Sequence, residues 1–179
     1  MKRIVSLLAV TALMIGCTAT PPTPEPAAAP AAAAMPHANL AQLMRGIPFP
    51  ASNIIFDAQS TDPGAAASAG DAAVGATQQY SSVYGGWQAV ENAALALSET
   101  ANLLTIPGRM CENGKPVPVD AEDFRMWAAN LAVAGEAAYK AAQAKDLDMM
   151  VDVAGTVSDA CSMCHEKYRD TPDQPRDRC

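Results

Sequence analysis

Residues 146–168 read DLDMMVDVAGTVSDACSMCHEKY, and this stretch decides the fold that the sequence predicts. Apolar residues recur in it every three or four positions, which is the spacing of one face of an α-helix. The residues of that face are Met150, Val153, Val157, Ala160 and Cys164. The helix opens around Asp146 and ends near Tyr168, before Pro172. The spacing therefore directs the cysteine-containing end of this helix at a protein core.

The same spacing predicts three more helices upstream. One begins at Tyr84 and ends before Pro107, and another begins with Asp120 as its N-cap and ends near Lys145. The first covers residues 40–58, and we expect a kink or break in it at Pro48, which has no N–H to donate. The residues expected to face the core are Leu40, Met44, Ile47, Ala51, Ile54 and Ala58, then Trp87, Val90, Ala94, Leu97, Ala101 and Leu104, then Phe124, Trp127, Leu131, Ala134 and Ala138.

Four helices without any convincing strand pattern predict an all-α fold, an antiparallel four-helix bundle over residues 37–170. The many alanines on the apolar faces would allow the helices to approach closely. Residues 59–82 are rich in Gly, Ala and Ser, and we expect a long crossing loop there.

The chain begins with features of an exported protein. Lys2 and Arg3 precede an apolar run, residues 4–15, that is too short to cross a bilayer. The sequence Met14-Ile15-Gly16-Cys17 resembles the cleavage site of bacterial lipoproteins, which makes residues 1–16 a signal peptide and Cys17 the lipidated first residue. A plain secreted protein is the alternative. Residues 17–36 are mostly Ala, Pro and Thr and form an expected tether.

These features predict a protein of the Gram-negative periplasm, held at a membrane by its lipid. Thr18 after Cys17 favours the outer membrane. Removal of Lys2 and Arg3 takes the formal charge from −7 to −9. Such an acidic chain disfavours nucleic acid as a ligand and suits a redox partner with a basic docking patch.

The residues Cys161-Ser162-Met163-Cys164-His165 form the Cys-x-x-Cys-His pattern of covalent haem attachment. In this reading the two thiols add across the haem vinyl groups, and His165 binds the iron. A dithiol redox pair or part of a zinc site is the alternative. A redox pair of the thioredoxin kind needs a βαβ context that the sequence lacks, and further zinc ligands are distant. No catalytic triad, carboxylate pair or phosphate loop indicates an enzyme.

Cys111 and Cys179 remain after Cys17 and the haem motif are assigned. In an oxidising compartment the simplest expectation is a disulfide between them, which would fasten the tail, residues 171–179, to the loop before the third helix. Two unpaired thiols, or a bridge between two chains, are the alternatives.

With the haem motif near the end of the last of four helices, the chain resembles class II cytochromes c, the cytochrome c prime family. The match is closest over Cys161 to Asp170, which resembles the low-spin, methionine-ligated branch. The resemblance implies a sixth iron ligand on the first helix, where Leu43, Met44 and Arg45 occupy the corresponding place. It also implies a possible homodimer.

Two other residues are candidates for contacts with the haem. Arg45, next to Met44, is a candidate partner for a haem propionate, with a solvated arginine as the alternative. His37 precedes Met44 by seven residues and would lie on nearly the same helix face, so it is an alternative iron ligand.

The function that the sequence predicts is electron transfer by a membrane-anchored periplasmic cytochrome with one haem c. A five-coordinate cytochrome that binds nitric oxide or carbon monoxide is the alternative, and Met44 distinguishes the two. A helical interaction module without haem is the second alternative.

Overall fold

Five helices occur in residues 34–65, 85–169 and 179, which are the residues that this computed structural model describes. They are α1 (Leu40–Gly46), α2 (Pro48–Asp57), α3 (Gly86–Leu104), α4 (Glu122–Ala144) and α5 (Leu147–Tyr168). Within the described ranges the only extended pairing is an isolated bridge between Met110 and Pro116. The all-α class is confirmed, and α1 and α2 together take the place of the first helix that the sequence predicted.

Several predictions concern residues outside the described ranges. They are the signal peptide (1–16), the lipidated Cys17, the tether (17–36) as far as residue 33, the crossing loop (59–82) from residue 66 onward and the tail (171–179) apart from Cys179. None of the helices in the described part of the chain is long and apolar enough to span a bilayer.

The expected break in the first helix is present. Asn39 and Gln42 cap the start of α1 with two reciprocal hydrogen bonds of 2.8 and 2.9 Å. Ile47 then leaves the helical region with φ −127° and ψ −67°, and Pro48 opens α2 at a position where its missing N–H costs nothing.

The break changes which isoleucine faces the core. A continuous helix through residues 40–58 would bury Ile54, but that side chain is 38% exposed, whereas Ile55 is fully buried. The reason is that α2 starts a new helix at Pro48, and so its apolar face has a different register from that of α1. The prediction for Ile54 was wrong.

The start of α4 also differs from the prediction. Asp120 does not cap it, because α4 begins two residues later with Ala121 at the N-cap and without a side-chain cap. Trp87 and Trp127, which were expected in the core, are only half-buried. The end of α4 and the start of α5 are as predicted: Lys145 takes the left-handed conformation (φ 55°), and the Asp146 carboxylate accepts from the Met149 N–H at 3.0 Å.

Contacts at the helix ends show which ends lie close together. The ring of Tyr168, at the end of α5, lies 5.3 Å from that of Phe124, at the start of α4. The backbone N–H of Leu40 donates to Met110, in the loop that follows α3, at 2.9 Å. At the far end of α3, Gly86 lies against Pro63, which follows α2. The start of α1 therefore lies near the end of α3, and the residues after α2 lie near its start.

The core between α3 and α4 is built from small side chains. Ala94 of α3 and Ala134 and Ala138 of α4 are buried, and Ala94 lies against Gly135 of α4. A Cβ on Gly135 would lie only 2.6 Å from the backbone nitrogen of Ser98 and 2.9 Å from the carbonyl oxygen of Ala94. The two helix backbones thus approach so closely at Gly135 that a methyl group does not fit.

We predict that Gly135→Ala destabilises the protein by about 1–3 kcal/mol, because the new methyl group meets backbone atoms that cannot move aside cheaply. The measurement is the free energy of unfolding in denaturant. Gly155→Ala in α5 is the matched control, since nothing lies within 4 Å of its added Cβ. That variant should gain about 0.4–1 kcal/mol, as expected for replacing an unstrained helical glycine. Equal effects at both positions would contradict the close approach of α3 and α4.

The loop between α3 and α4 is fastened to the end of the chain. Cys111 and Cys179, the two cysteines that the sequence paired, form a disulfide with a Cα–Cα distance of 4.9 Å. The N–H of Cys179 also donates to the Tyr168 carbonyl at 2.8 Å, and so satisfies one of the free carbonyl groups at the end of α5. The disulfide spans 68 positions of sequence and joins the last residue to this end of the fold.

We predict that the double variant Cys111→Ser with Cys179→Ser loses about 2–4 kcal/mol of stability, because a long loop of the unfolded chain is no longer closed. Thermal unfolding of the variant and of the wild type would measure the loss. Reduction of the wild type should lower its stability to a similar extent and leave the double variant unchanged. A variant as stable as the oxidised wild type would show that the disulfide does not support the fold.

Candidate functional site

The cysteine motif lies on the last two turns of α5 and continues the apolar face of that helix. Val157 and Ala160 are buried, and Cys161, Cys164 and His165 come next along the same face, where each is half-buried. Both thiols are free. On a helix, positions 161, 164 and 165 lie on one side because they are three and four residues apart. The structure therefore brings two free thiols and an imidazole together on one partly covered surface.

Burial controls the chemistry of the two thiols. It raises the pKa of the Cys161 thiol, and it raises that of Cys164 to about 11, with smaller contributions from the nearby Cys161 and Asp123. A dithiol used in disulfide exchange needs the opposite shift, because the thiolate is the reacting species. This environment therefore does not activate the pair as nucleophiles.

Burial also controls the protonation of His165. It lowers the pKa of the imidazole, and the positive charge of Arg169 lowers it further. The neutral form is thus favoured at neutral pH, and only neutral imidazole has a nitrogen lone pair for a metal ion. His165 is suited to metal ligation on that ground.

Met44 lies at the same end of the fold as the motif. The start of α1 is held to the loop after α3 by the hydrogen bond from Leu40 to Met110. The end of α5 is held to the same loop through Cys179 and its disulfide to Cys111. Met44 is four residues into α1, and His165 is three residues before the end of α5. Each therefore lies about one helical turn from the place where the two helices meet this loop.

Arg45 has a protein partner. Its Nη2 lies 3.0 Å from the Glu112 carboxylate, and both side chains are largely exposed. The contact joins α1 to the loop after α3, and a contact between Arg45 and a haem propionate stays a prediction. His37 is exposed and precedes α1, which begins only at Leu40. The argument that placed His37 on the helix face of Met44 was therefore wrong.

Arg109 is a residue that the sequence did not single out. Its side chain is buried, and its guanidinium donates to the Leu103 carbonyl at 2.8 and 3.2 Å and to the Ala38 carbonyl at 2.6 Å. It therefore ties the end of α3 to the segment that leads into α1. Burial lowers its pKa. Nothing in the local sequence around Arg109 indicated this role, because both of its partners are backbone carbonyl groups.

Asp123 is the second residue that the sequence missed. Tyr168 donates a hydrogen bond of 2.8 Å to Oδ1 of Asp123, and Lys167 forms an ion pair with Oδ2. These donors lower the pKa of the Asp123 carboxyl, with Lys167 contributing most. The contacts join the first turn of α4 to the turn of α5 that follows His165. The sequence separations are 44 and 45 residues, so only the packing of α4 on α5 brings these groups together.

The surroundings of Trp127 bear on whether this end of α5 fits a bound group. Its ring lies 5.7 Å from that of Tyr168, and its indole N–H is buried without a hydrogen-bond partner among the described residues. Leaving such a donor unsatisfied costs about 1–3 kcal/mol, so an acceptor that the described protein groups do not supply is expected beside it. A haem carries carboxylate and other acceptor atoms. The half-buried thiols, the neutral imidazole and this donor are compatible with haem at the end of α5.

In residues 34–65, 85–169 and 179 no three His, Cys, Asp or Glu side chains are grouped closely enough to hold a metal ion. A haem iron needs no such group, because the porphyrin supplies four of its ligands. Comparison with known protein families, characterised proteins and solved structures finds no match to this chain.

We predict that the folded, haem-free chain reacts slowly with iodoacetamide. At pH 8, Cys164 should react about 100-fold more slowly than in the unfolded chain, since a pKa near 11 instead of 9.0 lowers the thiolate fraction by that factor. Mass spectrometry of tryptic peptides would follow both cysteines over time and pH. The same chain unfolded in urea is the control. Rapid alkylation of the folded chain at pH 8 would instead indicate an activated dithiol.

Proposed function

We propose that this protein is an electron-transfer cytochrome of the c type, with one haem attached to Cys161 and Cys164 and an antiparallel four-helix bundle around it. The observation that carries the proposal is the arrangement of these two free thiols and His165 on one half-buried face of α5. The raised thiol pKa values add support, because they argue against dithiol exchange at this site.

Each residue of the motif has a separate task in this proposal. The thiols of Cys161 and Cys164 form thioether bonds by adding S–H across the two vinyl groups, a reaction that needs no oxidant or reductant. The neutral imidazole of His165 binds the iron. The half-buried position of all three leaves them accessible to the cofactor and yet removes them partly from water.

Met44 is the proposed second axial ligand. It is half-buried, it packs against the core, and its helix begins at the end of the fold where α5 ends. When bound, the haem supplies a one-electron couple between ferric and ferrous iron. A thioether ligand would stabilise the ferrous state and would keep small molecules from the iron. The alternative function, binding of nitric oxide or carbon monoxide, requires instead that the iron be open to them.

We also propose that the protein acts in the periplasm, tethered by a lipid on Cys17, where a partner with basic surface residues would exchange electrons with it. The support is the predicted export signal, the sequence around Cys17 and the acidic net charge. A lipid anchor with an extended tether would hold the cytochrome near a membrane and leave it able to turn toward its partner.

We predict that protein matured in a periplasm carries the mass of one haem on the peptide containing Cys161 and Cys164. The ferric spectrum should be low-spin, with a weak sulfur-to-iron band at long wavelength. Met44→Ala should remove that band and lower the reduction potential, because the thioether that favours ferrous iron is lost. Absorption spectroscopy and a redox titration measure these changes.

Met110→Ala is the matched control, since Met110 lies in the loop at the same end of the fold and its side chain is exposed. Its spectrum should equal that of the wild type. A wild type with haem but without the sulfur band, or a Met44→Ala variant with an unchanged spectrum, would reject Met44 as the ligand. Absence of haem from the peptide would reject the cytochrome itself and favour a helical interaction module.

A further inference from the structure

The ion pair of Asp123 and Lys167 involves a residue only two positions after His165, the proposed iron ligand. Lys167 and Tyr168 follow His165 by two and three residues on α5, and the Asp123 carboxylate contacts both of them. The backbone positions of Lys167 and Tyr168 therefore lie within one helical turn of His165, and the Asp123 carboxylate contacts the side chains of both. No sequence motif pairs these residues, and the proposed function does not use them.

Both charged groups are held in place. The Asp123 carboxylate accepts from the Tyr168 hydroxyl at 2.8 Å and from the Phe124 backbone N–H at 2.9 Å, in addition to its contact with Lys167. The Lys167 ammonium lies 5.2 Å from the centre of the Tyr168 ring and 5.9 Å from that of Trp127. These contacts fix the positions of a negative and a positive charge relative to the last turn of α5.

We propose that Asp123 and Lys167 adjust the reduction potential of the haem iron, with the carboxylate lowering the potential and the ammonium raising it. The inference rests on the proposed function, because it requires a haem at Cys161, Cys164 and His165. Neither residue touches the iron in this proposal. Both act on its reduction potential from a distance, through their charge.

The physical reason is the change of charge at the iron. Uptake of one electron from a partner protein converts ferric to ferrous iron and removes one unit of positive charge. A nearby carboxylate stabilises the ferric state more than the ferrous state, and a nearby ammonium does the reverse.

The two charges do not cancel completely. The side chain of Asp123 is 29% exposed, whereas that of Lys167 is 56% exposed. Water screens the more exposed charge more strongly, so the carboxylate should have the larger effect. The pair as a whole should therefore lower the potential.

The test compares the reduction potentials of mature, haem-loaded Asp123→Asn and Lys167→Gln with that of the wild type. We expect a higher potential for Asp123→Asn and a smaller decrease for Lys167→Gln. Both substitutions break the same ion pair, so a purely structural role would move both potentials in the same direction. Shifts of the two potentials in opposite directions would show that the charges themselves act on the iron.

Three further variants serve as controls. Asp123→Glu keeps the charge and should retain the wild-type potential. Glu136→Gln and Lys140→Gln remove exposed charges from the same helix α4, 13 and 17 residues beyond Asp123. At 1.5 Å per residue they lie about 20 Å or more from Asp123 along the helix. This distance exceeds the electrostatic screening length of about 10 Å in ordinary buffer, so neither substitution should change the reduction potential.

An unchanged potential in Asp123→Asn, or a shift in the same direction for both variants, would overturn the inference. If Asp123→Asn does not mature, Lys167→Gln alone decides, because an unchanged or raised potential in that variant contradicts the proposal. Mass spectrometry of each protein separates this failure from that of the proposed function. Absence of haem from the wild type overturns both the proposed function and this inference. If the wild type carries haem but the variants have its reduction potential, only the role of the ion pair is overturned.

Discussion

The packing of Tyr168 against the first turn of α4 is the interaction on which the rest of the candidate site depends. Its ring lies edge-on to Phe124 and Trp127, its hydroxyl donates to Asp123, and its carbonyl accepts from Cys179. The last turn of a helix frays readily, because its carbonyl groups have no partners within the helix. Here contacts with these four residues hold that turn, and His165 is only three residues away. A ligand on an unfastened helix end would not keep a fixed orientation.

The small side chains between α3 and α4 make this arrangement possible in a chain with few large apolar residues. Only 5% of the residues are aromatic, and the buried face of α4 is mostly alanine. Alanine loses little side-chain entropy on burial and favours the helix, and it lets two backbones approach closely. Two larger side chains lie near the start of α4, where Phe124 and Trp127 contact Tyr168 of α5.

Partial burial gives the motif its chemical character. It disfavours the thiolate at Cys161 and Cys164 and the imidazolium at His165, so all three groups are neutral at physiological pH. Neutral thiols are poor partners for disulfide exchange, whereas neutral imidazole is a good metal ligand. The partial removal of water from one face of α5 therefore disfavours a dithiol redox pair as the function of the Cys-x-x-Cys-His pattern. The same cause favours iron ligation by His165.

The sequence by itself determined the all-α class, the break at Pro48, the ends of α5 and the spacing that puts Cys161, Cys164 and His165 on one face. These features follow from local rules: helical periodicity, the missing N–H of proline and capping at Asp146. Only the tertiary structure decided that Ile55 replaces Ile54 in the core, that Arg109 joins α3 to the start of α1, and that Asp123 meets Lys167 and Tyr168. Those contacts join groups far apart in sequence, or depend on how a restarted helix is rotated. No local pattern encodes them, because they arise when whole helices pack against one another.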